Sequence, residues 1–377
     1  MASISKRGNY WQYRISYQDH DKKWKTKNKG GFDTKKEAQV AARNEEIKFS
    51  QGYDISYSDK TFPEYFEEWY KVFRKGKYSK GNDRDIRAAL SFAQKNFANV
   101  KMKDLDSMIY QKAMNEYGET RATSTVQKIH IYLRASLRDA IQEGIIFRDP
   151  TYRAKIVGKV QPKLDESKYM NYNDTLDFVK EIRANLDPLH PARYMILFAL
   201  ATGCRYAEIA GLTWDCVDFE GKTIRINKTW DYVYKTGFAK TKNYQSQRVI
   251  GIDDETIQLL NQLQAAQNYV MSVRKIKNEL NLVFVNGDFE IGSNSYANRV
   301  VKETCQKLGF SHFITFHSLR HTHGSILLYK GLNLKYVSLR LGHKKVATTI
   351  EVYQHVLDEM EQVENQKSAE IVQDFLS

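Results

Sequence analysis

Hydrophobic and aromatic residues near the start of the chain alternate with polar residues. The alternation covers residues 9–17, and a second candidate strand at residues 23–29 follows a polar stretch at residues 19–22. A period of two is typical of β-strands with one buried face, and the polar stretch is typical of a turn. We therefore predict two paired strands here, with Gly30-Gly31-Phe32 leading into a third strand.

A helix is predicted directly after these strands. Thr34 and Glu37 have the spacing of a capping box, so this helix is expected to begin there and to end near Ser50. Residues 1–50 hold twelve Lys or Arg against six Asp or Glu. A basic sheet with aromatic side chains can enter a DNA groove, and the alternative is a small module that serves only packing.

A helical bundle is predicted from residue 61 to about residue 150. Five aromatic residues are spaced along one helical face: Phe62, Phe66, Trp69, Tyr70 and Phe73. This spacing predicts that they pack into a core. Further helices are predicted near residues 80–97, 104–117 and 123–143. The polar residues 52–60 are predicted to link the bundle to the N-terminal module.

The second half of the chain is predicted to be mainly helical, with a small β-hairpin. An extended basic stretch, residues 156–164, follows Asp149-Pro150 and is predicted to link the two halves. Helices are predicted at residues 173–185, in the apolar run that ends at Thr202, and at residues 254–275 and 293–308. Strands are predicted at residues 223–229 and 247–252. A polar helix with a sparse apolar stripe is predicted at the C-terminus, from Val356 to Leu376.

Composition narrows the class of partner. The 377 residues carry a net charge of +13, and 24 Tyr and 18 Phe are interleaved with the basic residues, which favours nucleic acid as the partner.

Three cysteines without a CxxC pair and the absence of an apolar signal region predict a reduced, cytoplasmic protein. No apolar run is long enough to cross a bilayer. His317, His321 and His323 lack the accompanying ligands that a zinc site needs, so no metal is expected.

Most of the candidate catalytic residues lie between Thr315 and Tyr353. This stretch contains His317 and Arg320 three residues apart, His343 in a Leu-Gly-His sequence, and Tyr353 ten residues later. Far upstream, Arg205 follows Thr202-Gly203-Cys204, and Glu208 lies one helical turn beyond it. Each residue alone is a weak signal, because such residues are usually solvated or packed in cores.

As one set, these residues fit phosphoryl transfer. Arginine presents a planar fork of N–H donors that matches the oxygens of a phosphate, histidine exchanges protons near neutral pH, and tyrosine is a hydroxyl nucleophile. Glu208 is placed to hold the Arg205 guanidinium.

The set resembles the active site of the tyrosine recombinases of the phage-integrase type. That family has an Arg in a TGxRxxE setting, a Lys on a β-hairpin, HxxR, LGH and a Tyr. The residues that match in order are Arg205, Lys240, His317, Arg320, His343 and Tyr353. Lys240 is in register with Thr241 and with Arg248 on the next strand, and Lys242 is the alternative for the hairpin lysine.

The resemblance implies a multidomain fold. Residues 1–52 would be a β-β-β-α module that binds arm-type DNA sites, as in integrases of phages and conjugative transposons. Residues 60–155 would be an all-α core-binding domain, and residues 168–377 a mainly α catalytic domain with a small antiparallel hairpin sheet. The C-terminal tail would pack either on its own chain or on a neighbouring protomer.

The resemblance also implies an activity and partners. Arg205 and Arg320 would bind the scissile phosphate with help from His317 and His343, Tyr353 would form a 3′-phosphotyrosine, and Lys240 would protonate the leaving oxygen. The substrates would be double-stranded DNA attachment sites bound by a tetramer, with a directionality factor and a host DNA-bending protein as further partners, in the cytoplasm or nucleoid of a bacterium. No cofactor and no ATP would be needed. A type IB topoisomerase and a non-catalytic DNA-binding relative are the alternatives.

Overall fold

The computed structural model divides into two compact units, Met1–Pro162 and Lys163–Ser377. The residues that it describes are 2–18, 23–50, 55–161, 169–239, 241, 246–354, 356, 368 and 372–373. No helix among these residues combines the length and the apolar character that a bilayer crossing requires.

A three-stranded antiparallel sheet begins the first unit. Its strands lie in the order β1 (Ser3–Arg7), β2 (Tyr10–Gln18) and β3 (Trp24–Phe32), and helix α1 (Lys35–Ser50) follows. Tyr13 and Ile15 point to the same face of β2 and are buried with Ala42 of α1. The alternating pattern of the sequence therefore becomes one apolar face covered by one helix.

The prediction of the third strand was wrong in position. The third strand is β1 at the N-terminus, whereas Gly30-Gly31-Phe32 continues β3. The pairing of β2 with β3 shifts register between Trp11 and Tyr13, and Gly31 has φ +92°, so the glycines form an irregularity inside a strand instead of a turn. The predicted turn at residues 19–22 lies outside the described residues.

The capping box at the start of α1 is confirmed. The Glu37 backbone N–H donates to Thr34 Oγ1 at 3.1 Å, and the Glu37 carboxylate accepts from the Thr34 backbone N–H at 3.4 Å. The two bonds satisfy N–H groups that the first turn of a helix otherwise leaves without partners.

A bundle of helices completes the first unit. Its helices are α2 (Ile55–Ser58), α3 (Phe62–Trp69) with a π-helical turn at Tyr70–Arg74, α4 (Lys80–Asn96), α5 (Ser107–Gly118) and α6 (Thr123–Gln142). Four of the five predicted aromatic residues are buried in its core, whereas Phe73 is 53% exposed, because the π-helical turn shifts the spacing of the residues after Trp69. The expected linker at residues 52–60 contains α2, and residues 52–54 of it lie outside the described residues.

The extended stretch that follows the bundle is held against it. Lys159 and Val160 donate backbone hydrogen bonds to the Gly118 and Arg121 carbonyls at 2.9 and 3.1 Å. A Cβ atom at Gly118 would collide with the Val157 carbonyl, so this close approach requires glycine. Lys159 and Val160 thus form isolated β-bridges with Ala122, in agreement with the predicted extended stretch, and residues 162–168 lie outside the described residues.

The second unit combines helices with two small antiparallel sheets. The helices are α7 (Tyr172–Ala184), α8 (Ala192–Thr202), α9 (Tyr206–Ala210), α10 (Asp254–Arg274), α11 (Asn294–Lys307), α12 (Phe316–Tyr329), α13 (Leu334–Leu341) and α14 (346–354). The strands are β4 (Val217–Asp218), β5 (Thr223–Ile226), β6 (Thr229–Trp230), β7 (Phe238–Ala239) and β8 (Arg248–Gly251). One sheet has the order β4-β5-β8, and the other pairs β6 with β7. The strand predicted at residues 223–229 therefore ends earlier, at Ile226.

Helix α8 lies at the centre of the second unit. It is apolar on nearly all sides, and Met195, Ile196, Phe198 and Ala199 are each at most 1% exposed. A helix that is apolar all round is stable only when other elements surround it. The surrounding elements therefore fix the position of its last residue, Thr202. Gly203, with φ +68°, turns the chain sharply after it.

Candidate active site

Arg205 occupies the N-cap of α9, directly after the turn at Gly203. Its backbone N–H donates to Glu208 Oε2 at 3.0 Å, and its side-chain Nη1 donates to Glu208 Oε1 at 2.7 Å. The Arg205 side chain is 30% exposed, whereas Glu208 is 2% exposed. Burial alone would raise the pKa of the Glu208 carboxyl, but the charges of Arg248 and Arg205 outweigh burial and lower it. Glu208 is therefore an anion that orients Arg205 toward the surface.

Arg320, on helix α12, connects the turn at Gly203 to the end of helix α13. Its Nη1 donates to the Gly203 carbonyl at 2.7 Å, and its Nη2 donates to the Leu341 carbonyl at 2.6 Å. It is only 3% exposed. Burial and the nearby Arg205 lower the pKa of its guanidinium to about 10, so the group is still charged at neutral pH. These bonds place Arg320 between the turn that precedes Arg205 and the end of α13.

His317 and His343 are neutral at pH 7. Burial, with Arg320 and Arg205 adding to it, lowers the pKa of both imidazoles, that of His343 to about 4. Nδ1 of His343 is 2.8 Å from Thr349 Oγ1, and Gly342, with φ +69°, makes the turn that carries His343 away from α13. Neutral imidazoles can each donate one hydrogen bond and accept a proton.

Tyr353 is buried on α14 beside these groups. Its side chain is 1% exposed and packs among Leu328, Val337, Leu341 and Val356. Its hydroxyl donates to the backbone carbonyl of Arg320 at 3.4 Å. Burial raises the pKa of the Tyr353 hydroxyl to about 12, against the opposing charges of Arg320 and Arg205. The hydroxyl therefore carries its proton, and nucleophilic attack requires a base.

Gly324 provides the space that Tyr353 occupies. A Cβ atom on Gly324 would collide with the hydroxyl and the ring of Tyr353. The ring of His321 also lies near the ring of Tyr353, with their centroids 6.1 Å apart. His321 in turn makes an edge contact with the ring of His317. The structure thus brings Arg205, His317, Arg320, His343 and Tyr353 together. Lys240 and Lys242 lie outside the described residues, so the identity of the hairpin lysine stays a prediction.

Three residues of the site were missed as site residues in the sequence. Arg248 donates to Glu208, and Arg340 donates to His323 Nε2 at 3.1 Å and to the Ala201 carbonyl at 3.1 Å. His323 Nδ1 lies 2.7 Å from the Leu200 carbonyl. Their partners are mostly main-chain carbonyls, which leave no signature in a sequence.

The described residues contain no group of three or more His, Cys, Asp or Glu that could hold a metal ion. Cys204, Cys216 and Cys305 are all buried free thiols. The charged groups around Arg320 are Arg205, Arg248 and the Glu208 carboxylate, a set suited to an anionic ligand.

Two family models match the chain. The model of the phage integrase family matches residues 169–360, and the model of an arm DNA-binding domain matches residues 2–49. The chain belongs to the phage integrase family. It is a tyrosine-type site-specific recombinase, and its sheet-and-helix module, helical bundle and mainly helical second unit are the fold expected for this class.

Curated relatives agree with this family. The chain is 26% identical over 359 residues to a tyrosine recombinase XerC-like protein of Caldanaerobacter subterraneus, covering 86% of each chain. It is 24% identical over 331 residues to the integrase of Staphylococcus phage L54a, covering 83% of this chain and 93% of that one. The ICEBs1 integrase of Bacillus subtilis is 26% identical over 250 residues, covering 66% and 65%.

Solved structures share the fold. The Tn1549 transposon integrase, residues 82–397, in complex with a circular intermediate DNA, superposes with a TM-score of 0.64 at 18% identity, covering 80% of this chain and 99% of that one. A lambda integrase tetramer bound to a Holliday junction superposes with a TM-score of 0.58 at 15% identity, covering 91% and 95%.

Proposed function

We propose that this recombinase cleaves and rejoins DNA at attachment sites of a mobile element, which it integrates or excises, through a covalent 3′-phosphotyrosine at Tyr353. The observation that carries the proposal is the position of Arg320. The guanidinium of this residue connects the turn before Arg205 to the end of α13, and its backbone carbonyl accepts a hydrogen bond from the Tyr353 hydroxyl. Two arginines and a tyrosine from distant parts of the chain thus meet at one place.

Each residue has a role that follows from its chemistry. Arg205 and Arg320 bind the two non-bridging oxygens of the scissile phosphate and stabilise the charge that grows in the transition state. His343 donates a hydrogen bond to the same phosphate, and neutral His317 accepts the Tyr353 proton. Tyr353 attacks phosphorus, the ester bond to the 5′ oxygen breaks, and Lys240 protonates that oxygen. Attack of a 5′-hydroxyl from another strand reverses these steps and completes strand exchange.

Tyr353 has to move before it can react. At 1% exposure its hydroxyl cannot meet a phosphate, and it faces a backbone carbonyl instead of the guanidinium of Arg320. Rotation of the side chain out of the space at Gly324 would bring it to the surface. The nucleophile is therefore protected in the free protein and becomes available on DNA.

The molecule is proposed to have three domains. Residues 1–52 bind arm-type sites, residues 60–155 bind the core site, and residues 168–377 carry the chemistry. The match to an arm DNA-binding domain and the DNA-bound relatives support this division. The lambda integrase tetramer on a Holliday junction supports a tetramer on paired sites. A directionality factor and a host DNA-bending protein would assist it in the bacterial cytoplasm.

Replacing the nucleophile tests the chemistry. Tyr353→Phe should bind an attachment site but form no covalent adduct with a nicked suicide substrate, as seen on a denaturing gel, because only the reacting oxygen is lost. Tyr329→Phe and Tyr336→Phe are matched controls, since both tyrosines lie close by in sequence and are exposed. An adduct that persists in Tyr353→Phe and disappears in either control would assign the nucleophile to another residue.

A further inference from the structure

Arg248 is a buried arginine beside the candidate active site with all three side-chain nitrogens engaged. Its Nε donates to the Arg340 carbonyl at 2.6 Å and its Nη1 to the Ser246 carbonyl at 3.0 Å. Its Nη2 donates to Glu208 Oε2 at 3.0 Å and lies 3.5 Å from Cys204 Sγ. The side chain is 7% exposed, so a phosphate at the surface does not reach it.

Glu208 divides its two oxygens between two arginines. Oε1 accepts from Arg205 Nη1, and Oε2 accepts from both the Arg205 backbone N–H and Arg248 Nη2. A carboxylate oxygen has two lone pairs, so Oε2 is saturated. A carboxylate binds a guanidinium in the two-bond arrangement only when both oxygens are free to accept from its side chain. Glu208 therefore holds Arg205 by a single side-chain bond.

We propose that Arg248 is a positioning residue that keeps Glu208 from capturing Arg205 in a two-bond pair. Within the described part of the chain, Nε and Nη2 of Arg205 have no hydrogen-bond partner, and the side chain is 30% exposed. These two nitrogens form the free edge of the guanidinium, and they are the donors that a phosphate requires. The inference rests on the proposed function, because it assumes that Arg205 binds the scissile phosphate.

The position of Arg248 also relates three segments of the site. It begins β8, and it donates to the carbonyl of Arg340, three residues before His343. Its bond to Glu208 reaches the start of α9. One buried side chain thus connects the start of β8, the Arg205 turn and the segment that precedes His343.

Arg248→Met, alone and combined with Glu208→Gln, tests whether Arg248 acts through Glu208 or only fills space in the core. Arg248→Met removes the donors and keeps a long side chain, so Oε2 is released and Arg205 is drawn into a two-bond pair. We expect unchanged DNA binding and a single-turnover cleavage rate at saturating DNA that is about 100-fold lower. Adding Glu208→Gln leaves only one acceptor atom at residue 208, which cannot form the two-bond pair, so the double variant should cleave about tenfold faster than Arg248→Met alone.

Controls test the specificity of the effect. Arg248→Lys restores a charged donor for Oε2 and should cleave at a rate closer to that of the wild type than to that of Arg248→Met. Arg274→Met removes a surface arginine paired with Asp288, and its cleavage should equal that of the wild type. If thermal melting shows that Arg248→Met does not fold, Arg248→Leu and its Glu208→Gln double replace the pair, since leucine also removes every donor to Oε2.

The outcome distinguishes this inference from the proposed function. A double variant that is no faster than Arg248→Met, or an Arg248→Met protein that cleaves like the wild type, overturns the role of Arg248. Arg205→Lys is measured in parallel. If Arg205→Lys cleaves at the wild-type rate, Arg205 does not bind the phosphate and the proposed active site itself fails.

Discussion

The histidines near Arg320 differ in what they can do with a proton. Arg340 can only donate, so Nε2 of His323 must accept, and Nδ1 must carry the hydrogen that it donates to the Leu200 carbonyl. Both nitrogens of His323 are thus engaged, and burial lowers its pKa to about 3. His343 uses Nδ1 on Thr349, and its Nε2 has no hydrogen-bond partner among the described residues. His323 is therefore structural, whereas His343 has a nitrogen available for a phosphate.

Acid should destabilise the protein through His323. Its pKa is about 3 in the folded chain and about 6.5 when unfolded, so the unfolded state takes up the proton first as the pH falls. The contribution of this residue to stability is complete above pH 6.5 and should decrease by about 2 kcal/mol between pH 6.5 and pH 5. Urea unfolding at pH 7 and pH 5 should show a loss in the wild type that exceeds the loss in His323→Gln by about this amount. Equal losses would mean that the imidazole is protonated in the folded state.

Which residues the sequence could predict depends on the kind of partner each one has. Arg205, His317, Arg320, His343 and Tyr353 occur at fixed spacings in short polar motifs, and the fold brings them together. Arg248, Arg340 and His323 hold the main chain of those motifs in place. Because a carbonyl group is common to every residue, such contacts can be assigned only when the path of the chain is known.

At the scale of elements, the junction of α8 and α9 sets the position of Arg205. Three carbonyls at the end of α8 accept from side chains of other helices: that of Leu200 from His323, that of Ala201 from Arg340 and that of Gly203 from Arg320. The last carbonyls of a helix have no partners within it and carry partial negative charge, so cationic donors stabilise them. The turn that precedes Arg205 is therefore held by helices α12 and α13.

Gly203→Ala should lower the free energy of unfolding by more than the strain of its positive φ alone would. A Cβ there would lie 2.7 Å from both His323 Cδ2 and Leu341 Cδ2, whereas Gly309 has a similar φ, +69° against +68°, and no atom within 4 Å. Gly309→Ala should cost about 1 kcal/mol of unfolding free energy from backbone strain, and Gly203→Ala about 1–3 kcal/mol more. Urea unfolding of both variants measures the difference. Equal costs would show that the neighbours of Gly203 move aside freely.

Long helices were predictable and very short strands were not. The helices predicted within the described residues begin and end within a few residues of the observed ones, because many apolar positions define each spacing. The helix predicted from Val356 to Leu376 lies almost wholly outside the described residues and stays a prediction. Strands β4, β6 and β7 have two residues each, too few to show alternation. Strand β1 has one side chain, Ile4, that packs partly against the core, so its pairing with the backbone of β2 largely defines it.

At the scale of the whole molecule, a large share of the net charge of +13 lies in the N-terminal module, where residues 1–50 hold twelve Lys or Arg against six Asp or Glu. On the N-terminal sheet, the strand register places Arg7, Tyr10 and Arg14 on the face opposite Tyr13, the residue that packs under α1. Arg14 is exposed, and Tyr10 and Trp24 are 53% and 72% exposed. Exposed aromatic and cationic side chains on one sheet face are typical of a surface that binds DNA.

Removing residues 1–52 should separate DNA recognition from chemistry. The candidate active site is built wholly from residues after 200, so the truncated protein should still form the covalent adduct on a core site, while its footprint on a second, arm-type sequence should disappear. Full-length protein with Arg7→Gln and Arg14→Gln is the matched variant, because both side chains are exposed and the fold should persist. It should lose most of the second footprint, since charge-assisted phosphate contacts are removed. If both proteins leave the wild-type footprint, the module contributes packing or solubility and not DNA recognition.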